Sequence, residues 1–281
     1  MVFTSRHQMR LRPEAFARAR SLAAKVIDPP ERGWLTDDAP MRRHELLYRM
    51  VAEEEVALED CEHTYDRMLA ETVVLHRLLM IEQDLEPRTY SIARTVAVLG
   101  CMIQERLTIL LLNVRADQFQ QLFDIGSYWG MNRNDWDARL AGASAEAKAI
   151  QELTNIEGVK VYMSSIWEDS NWRIDLFVEL ENTDIGACVS VKLNVGKRTN
   201  FWLTANELPR DDKIQRSWEQ IERGTRTFNS KTRRNWIPVL LMIGKKRGKP
   251  VDTRHYARTA PWARALHQAL CAANADARAS A

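Results

Sequence analysis

The sequence predicts an α/β protein in which a helical N-terminal region precedes a mixed sheet built in the order αβββαβ. Three observations lead there. Between residues 47 and 79, positions 47, 51, 54, 58, 61, 65, 68, 72, 75 and 79 alternate in steps of four and three and carry apolar side chains except at Glu54 and Thr72, the spacing of a helical seam. "WRIDLFVEL" (172 to 180) and "VSVKLNV" (189 to 195) instead alternate strictly, the period of strands. "NWIPVLLMIG" (235 to 244) is a continuous apolar run, fit for a strand buried on both faces.

Taken in order, a short helix is predicted at about 13 to 27, followed by the loop "DPPERGWLTDDAP". Its prolines, glycine and aspartates interrupt regular structure. Helix resumes at about Met41, and "EPRTYS" (86 to 91) breaks it, with Pro87 as the stop and Thr89 or Ser91 as the next cap. A second helix aligns Ile92, Val96, Leu99, Ile103, Leu107, Leu110 and Val114 on one stripe. The helices at 41–84 and 91–123 therefore form either a helical hairpin within one chain or a coiled coil with a protein partner or second copy, since either buries the same seam. Residues 124 to 142, rich in Gly, Asn and Asp, read as a connection. Then come the helix "SAEAKAIQELTNI", the strand "VKVYMSS", a turn at "EDSN", two further strands, the helix "DKIQRSWEQIERGTRTF" and the last strand. The first three strands can pair as a meander, and the last returns parallel through the helical crossover. The expected domains are a helical region 1–142, a sheet core 143–250 and a basic, partly helical extension 251–281.

Composition narrows the function classes. With 45% hydrophobic and 28% charged residues in 281, the chain can bury a sizeable core and does not read as disordered. Net charge is only +2, yet it is unevenly placed. Residues 31 to 90 hold 15 acidic and 7 basic side chains, whereas residue 190 onward holds 7 acidic and 19 basic ones. A basic C-terminal third favours a polyanionic partner. The four cysteines lie far apart without a CxxC pair, which argues against zinc ribbons and disulfide frameworks and suits a reducing cytoplasm. The basic start lacks an apolar signal-peptide core, and no uninterrupted apolar run approaches membrane length, so no membrane partner is expected.

One polar face stands out. In "WRIDLFVEL", Asp175 lies opposite the apolar set Trp172, Ile174, Leu176, Val178 and Leu180; in "VSVKLNV", Ser190 and Lys192 lie opposite the valines. If the two strands are neighbours, Asp175, Ser190 and Lys192 share a face, with Glu146 supplied by the preceding helix. In element order and motif position, residues 143 to 245 resemble the PD-(D/E)XK, restriction-endonuclease-like nuclease superfamily. The resemblance implies an aspartate on the second strand, matched by Asp175, an acid-x-lysine triplet on the third, matched at its lysine by Lys192, and a helix glutamate, matched by Glu146 with Glu152 as fallback. Ser190 stands where the triplet's acid belongs.

That resemblance implies Mg²⁺-dependent phosphodiester cleavage, with Mn²⁺ as a possible substitute and DNA favoured over RNA. Such chemistry needs a divalent ion that is held by few carboxylates and keeps several waters. Asp175 and Glu146 are the expected metal ligands, and Lys192 is expected to orient the attacking water and stabilise charge on phosphorus. The alternative is a nuclease-fold protein without catalysis that binds DNA or assembles with it, as Ser190 would suggest. An ordinary cross-strand ion pair between Asp175 and Lys192 would account for those two residues alone.

Cations interleaved with aromatics flank these strands. Lys197 and Arg198 follow the third strand, Lys231, Arg233 and Arg234 precede the last, and Lys245, Lys246 and Arg247 leave it, a pattern suited to phosphate contacts and base stacking. "GKRT" at 196 lacks the leading glycine of a phosphate-binding loop, and no GxSxG or HExxH occurs.

Overall fold

The computed structural model describes residues 10–24, 64–83, 90–128, 133–195, 200–203, 209–245 and 260–279. Expectations for the end of the first helix at 25–27, the loop at 28–40, the seam at 47–61, the break at 86–89, and Lys197, Arg198, Lys246 and Arg247 lie outside them. The chain divides into two compact units, His7–Leu140 and Ala141–Ala281.

The first unit is helical: α1 (Pro13–Ala24), α2 (Thr64–Gln83), α3 (Tyr90–Asn113), a 3₁₀ turn (Ala116–Gln118), α4 (Phe119–Ile125) and the start of α5 (Arg133–Thr154). The predicted connection at 124–142 is therefore helical from Arg133. Trp136, Leu140 and Ala141 are buried there, and burial of that apolar spacing outweighs the turn-prone Asn and Asp beside it. On α3 the stripe Ile92, Leu99, Ile103, Leu107 and Leu110 is buried, and Glu71 of α2 pairs with Arg106 of α3 at 2.5 Å, as an antiparallel hairpin requires. Burial on α2 extends beyond a narrow seam to Leu69, Val73, Val74, His76 and Leu78. It is a core helix, packed against α1 as well as α3. Arg77 ties these together by donating to the last carbonyls of α1, Leu22 and Ala23, each at 2.9 Å. Among the described residues, Ile92–Asn113 alone is long and apolar enough to cross a membrane by length and composition, a property that buried helices share.

The second unit is α/β. After α5 come β1 (Val159–Met163), α6 (Ile166–Trp172), β2 (Leu176–Leu180), β3 (Gly186–Val195), β4 (Phe201–Leu203), α7 (Asp212–Thr232), β5 (Ile237–Lys245) and α8 (Pro261–Ala279). The sheet order is β1-β2-β3-β5-β4. β1, β2 and β3 pair antiparallel in sequence, and β5 returns parallel to β3. This is the expected meander and crossover, with two additions. β4 is a three-residue strand antiparallel to β5, too short for alternation to show. α6 occupies "IWEDSNW", read above as a turn and the start of a strand. Its signal is "SIWE": Ser165 Oγ accepts from the Glu168 N–H while the Glu168 carboxylate accepts from the Ser165 N–H, a capping box. Trp172 is thus helical, and β2 begins only at Leu176.

α7 packs on β3 and β5. Its side chains Trp218, Ile221 and Phe228 close a core with Phe177, Cys188, Leu240 and Met242. These strand residues lie on the same side as Asp175 and Ser190, because 177 pairs with 188 and the period is two. The opposite face, with Leu176, Val178, Val189, Val239 and Leu241, is buried as well. The side of β3 opposite its valines is therefore covered rather than solvated until Lys192.

Candidate active site

Asp175 sits one residue before β2, fixed from three directions. Its N–H donates to the Val189 carbonyl at 2.9 Å, and its own carbonyl accepts from the Ser164 N–H at 3.1 Å and the Ser164 hydroxyl at 3.2 Å. Its side chain reaches β3: Oδ2 accepts from the Val191 N–H at 2.5 Å and from the Ser190 hydroxyl at 3.0 Å. The Lys192 Nζ lies 3.6 Å from the same oxygen. The Val191 contact caps the β2–β3 ladder, since a carboxylate takes the N–H where the strand ends. These interactions all fall on Oδ2, and Oδ1 accepts none of them. The Asp175 side chain is 9% exposed and that of Lys192 41%, so a nearly buried carboxylate meets an ammonium that opens to solvent. Ser190, at 1% exposure, is an internal hydroxyl aimed at Asp175.

Asp175, Ser190 and Lys192 are thus together. Glu146 is buried on α5 and is not among the Asp175 carboxylate's partners. Glu152 belongs to the contact of α5 with α8: it accepts from the Trp262 indole N–H and lies 3.6 Å from Lys148. Among the described residues no three His, Cys, Asp or Glu are grouped to hold a metal. The chain matches no protein-family model, no curated protein and no solved structure.

Two neighbours of the cluster were not singled out from sequence. Cys188, two residues before Ser190 on the same face, has its thiol pushed up to about 12 by burial; a Thr225 hydrogen bond opposes this and the Glu168 charge adds to it. It is no nucleophile at neutral pH. Glu168 is consequently a second carboxylate whose field reaches this face, carried there by α6. Its capping box was legible in "SIWE", but nothing local says which way the helix points.

The cations divide. Lys231 Nζ lies 4.9 Å from the Trp167 ring centroid and 5.1 Å from that of Trp172. Each such contact is worth about 0.5–1 kcal/mol at an exposed position, enough to bias a ring's orientation. Arg234 stacks 4.8 Å from the Trp236 ring and lies 4.0 Å from Glu179. Arg233 is exposed in the left-handed conformation that ends α7. Lys245 closes β5 opposite Val195.

Proposed function

We propose that the Ala141–Ala281 unit binds nucleic acid, DNA before RNA, and hydrolyses its phosphodiester bonds as a restriction-endonuclease-like nuclease. The observation that carries this is the Asp175–Lys192 pair at the β2–β3 junction, with one carboxylate oxygen uncommitted and the ammonium exposed. The β1-β2-β3-β5 pairing, a meander followed by a parallel return, supports it, as does the basic balance of the C-terminal third.

Mg²⁺ or Mn²⁺ fits the donor set without a carboxylate cage, because Mg²⁺ commonly binds through one or two carboxylates, substrate phosphate and water. Asp175 would hold it through Oδ1. When bound, the ion supplies charge neutralisation at phosphorus and an activated water. The chain's own residues do the rest. Ser190 and the Val191 N–H lock the carboxylate's rotation, and Lys192 presents its ammonium to a non-bridging phosphate oxygen where charge grows. Burial on the α7 side keeps water from the protein face of the cluster. Ser190 holds Asp175 in place rather than serving as a second acid.

A non-catalytic DNA-binding module is the second reading, favoured by Oδ2: three donors converge on it, as in a structural ladder cap. Cleavage of single-stranded, duplex and branched DNA with Mg²⁺ or Mn²⁺ separates the two. Metal-dependent cutting by the intact chain, lost in Asp175→Ala and Lys192→Ala, is the expected result. No cutting of any substrate, with salt-sensitive binding retained in both variants, would leave the binding module.

A further inference from the structure

Trp167 is 48% exposed, whereas Trp136, Trp218, Trp236 and Trp262 are buried. It is nevertheless held in place. Its ring meets Trp172 edge-on at 4.7 Å, the Lys231 ammonium sits over both rings, and Trp172 in turn packs edge-on against Phe228 of the core at 6.3 Å. α6 itself is pressed onto α7 at Gly224, where any Cβ would come within 2.0 Å of the Trp172 carbonyl oxygen. An indole kept half open on a rigid support is preorganised for a flat, apolar ligand.

The surroundings say which ligand. Residues 166–173 and 221–236 carry six cations (Arg173, Arg223, Arg226, Lys231, Arg233, Arg234) and three carboxylates (Glu168, Asp169, Glu222). Glu222 and Arg226 offset one another at 3.5 Å, Arg234 lies 4.0 Å from Glu179 and Glu168 caps α6, so Arg173, Arg223, Lys231 and Arg233 still outnumber the remaining acids. A ring beside an excess of positive charge complements a base with its phosphate. The location matters too. Ser164, just before α6, bonds to the Asp175 carbonyl, so α6 is an excursion that leaves from and returns to Asp175. A seven-residue helix is about 10 Å long, so Trp167 stands no more than a few nucleotides' reach from the Asp175–Lys192 pair.

We propose that Trp167, buttressed by Trp172 and Lys231, is a stacking platform for an unpaired base, and that the substrate is a nucleic acid with a single-stranded segment. This rests on the nucleic-acid reading above and narrows it, because a base inside a duplex has no free face to stack. Lys231 and Arg233 take the adjoining phosphates.

The test is fluorescence anisotropy with a labelled oligothymidine and a blunt duplex, in EDTA to prevent cutting, using the full chain. Stacking on one residue is worth about 5- to 150-fold in affinity. Trp167→Ala is expected to weaken oligothymidine binding by that factor and leave duplex binding unchanged. Trp167→Phe, which keeps a ring, is expected to restore most of the loss. Lys231→Gln should flatten the salt dependence. If the intact chain binds DNA in a salt-sensitive way and Trp167→Ala binds oligothymidine equally well, the platform is overturned and the nucleic-acid reading stands; the exposed ring then serves a protein contact instead. Equal weakening on both DNAs, unrescued by Phe, would also overturn it, as a folding defect. No binding of any nucleic acid by the intact chain would overturn both readings.

Discussion

Each unit contains a carboxylate gripped by several donors, and the two differ in what surrounds them. In the helical unit, His76 Nε2 lies 3.2 Å and the Arg139 Nε 3.0 Å from Asp135 Oδ2. His76 is fully buried and stands edge-on to Trp136 at 5.1 Å, while the Trp136 indole donates to the Leu122 carbonyl. In the sheet unit, Ser190, Val191 and Lys192 converge on Asp175, yet the lysine opens to water. A His–Asp–Arg set is richer in catalytic residue types than a Ser–Asp–Lys set. In the first set the histidine is nonetheless closed off, at 0% exposure, while the Asp135 and Arg139 side chains keep 35% and 18%; in the second the carboxylate is the closed member and the cation the open one. What separates the two networks is which member meets solvent, more than the residue types they contain.

Three measurements would break or sharpen that contrast. The largest effect is expected at Lys192. Lys192→Ala should lower metal-dependent cleavage by about 10²- to 10³-fold, the usual cost of one charge-stabilising donor. Its stability should fall by less than ~1 kcal/mol in urea unfolding, because the ammonium is exposed. A large stability loss with normal cleavage would make the ion pair purely structural. Asp135→Ala should do the reverse. It removes the carboxylate that lies 3.2 Å from His76 and 3.0 Å from Arg139, so about 1 kcal/mol of stability is expected to go while cleavage per folded molecule stays unchanged.

The third effect, the smallest, is pH dependence. Burial holds His76 below the usual 6.5, and hydrogen bonding to His76 is the main cause of Asp135's fall below 3.8, with Arg139 adding to it. Below 6.5 the unfolded chain therefore binds a proton that the folded His76 does not, so stability drops as pH falls from 6.5 toward the folded value. The Asp135 contribution is present above 3.8 and is lost at still lower pH. Urea midpoints from pH 7.5 to 4.5 should show the decline, and His76→Gln should flatten it; an unchanged slope in that variant would place the proton uptake elsewhere.

Much of the site was legible because strand geometry is local. A period of two puts Asp175, Phe177, Cys188, Ser190 and Lys192 on one side once β2 and β3 are paired. What was not legible was α7's coverage of that side. Ser190, which the sequence marks only as standing where the triplet's acid belongs, is an internal hydroxyl, since the amphipathic helix that covers that side lies more than twenty residues downstream. Glu146 has the right type and helix, but its relation to Asp175 depends on helix rotation against the sheet, which a lone glutamate does not encode. α6 escaped notice because Trp172 and Ile174 extend the alternation of β2 backwards by coincidence. The capping box at Ser165 was the competing signal and the stronger one.

The sequence by itself determined the order of β1, β2, β3, α7 and β5, the stripe on α3, the meander with its parallel return, and the side on which Asp175, Ser190 and Lys192 fall. Each follows from hydrophobic period and chain connectivity, which act over a few residues. Only the tertiary structure decided which polar groups are closed off and which meet solvent: His76 sealed, Lys192 open, Trp167 half bare beside Lys231. Exposure is set by what packs against a surface, and those partners come from distant parts of the chain.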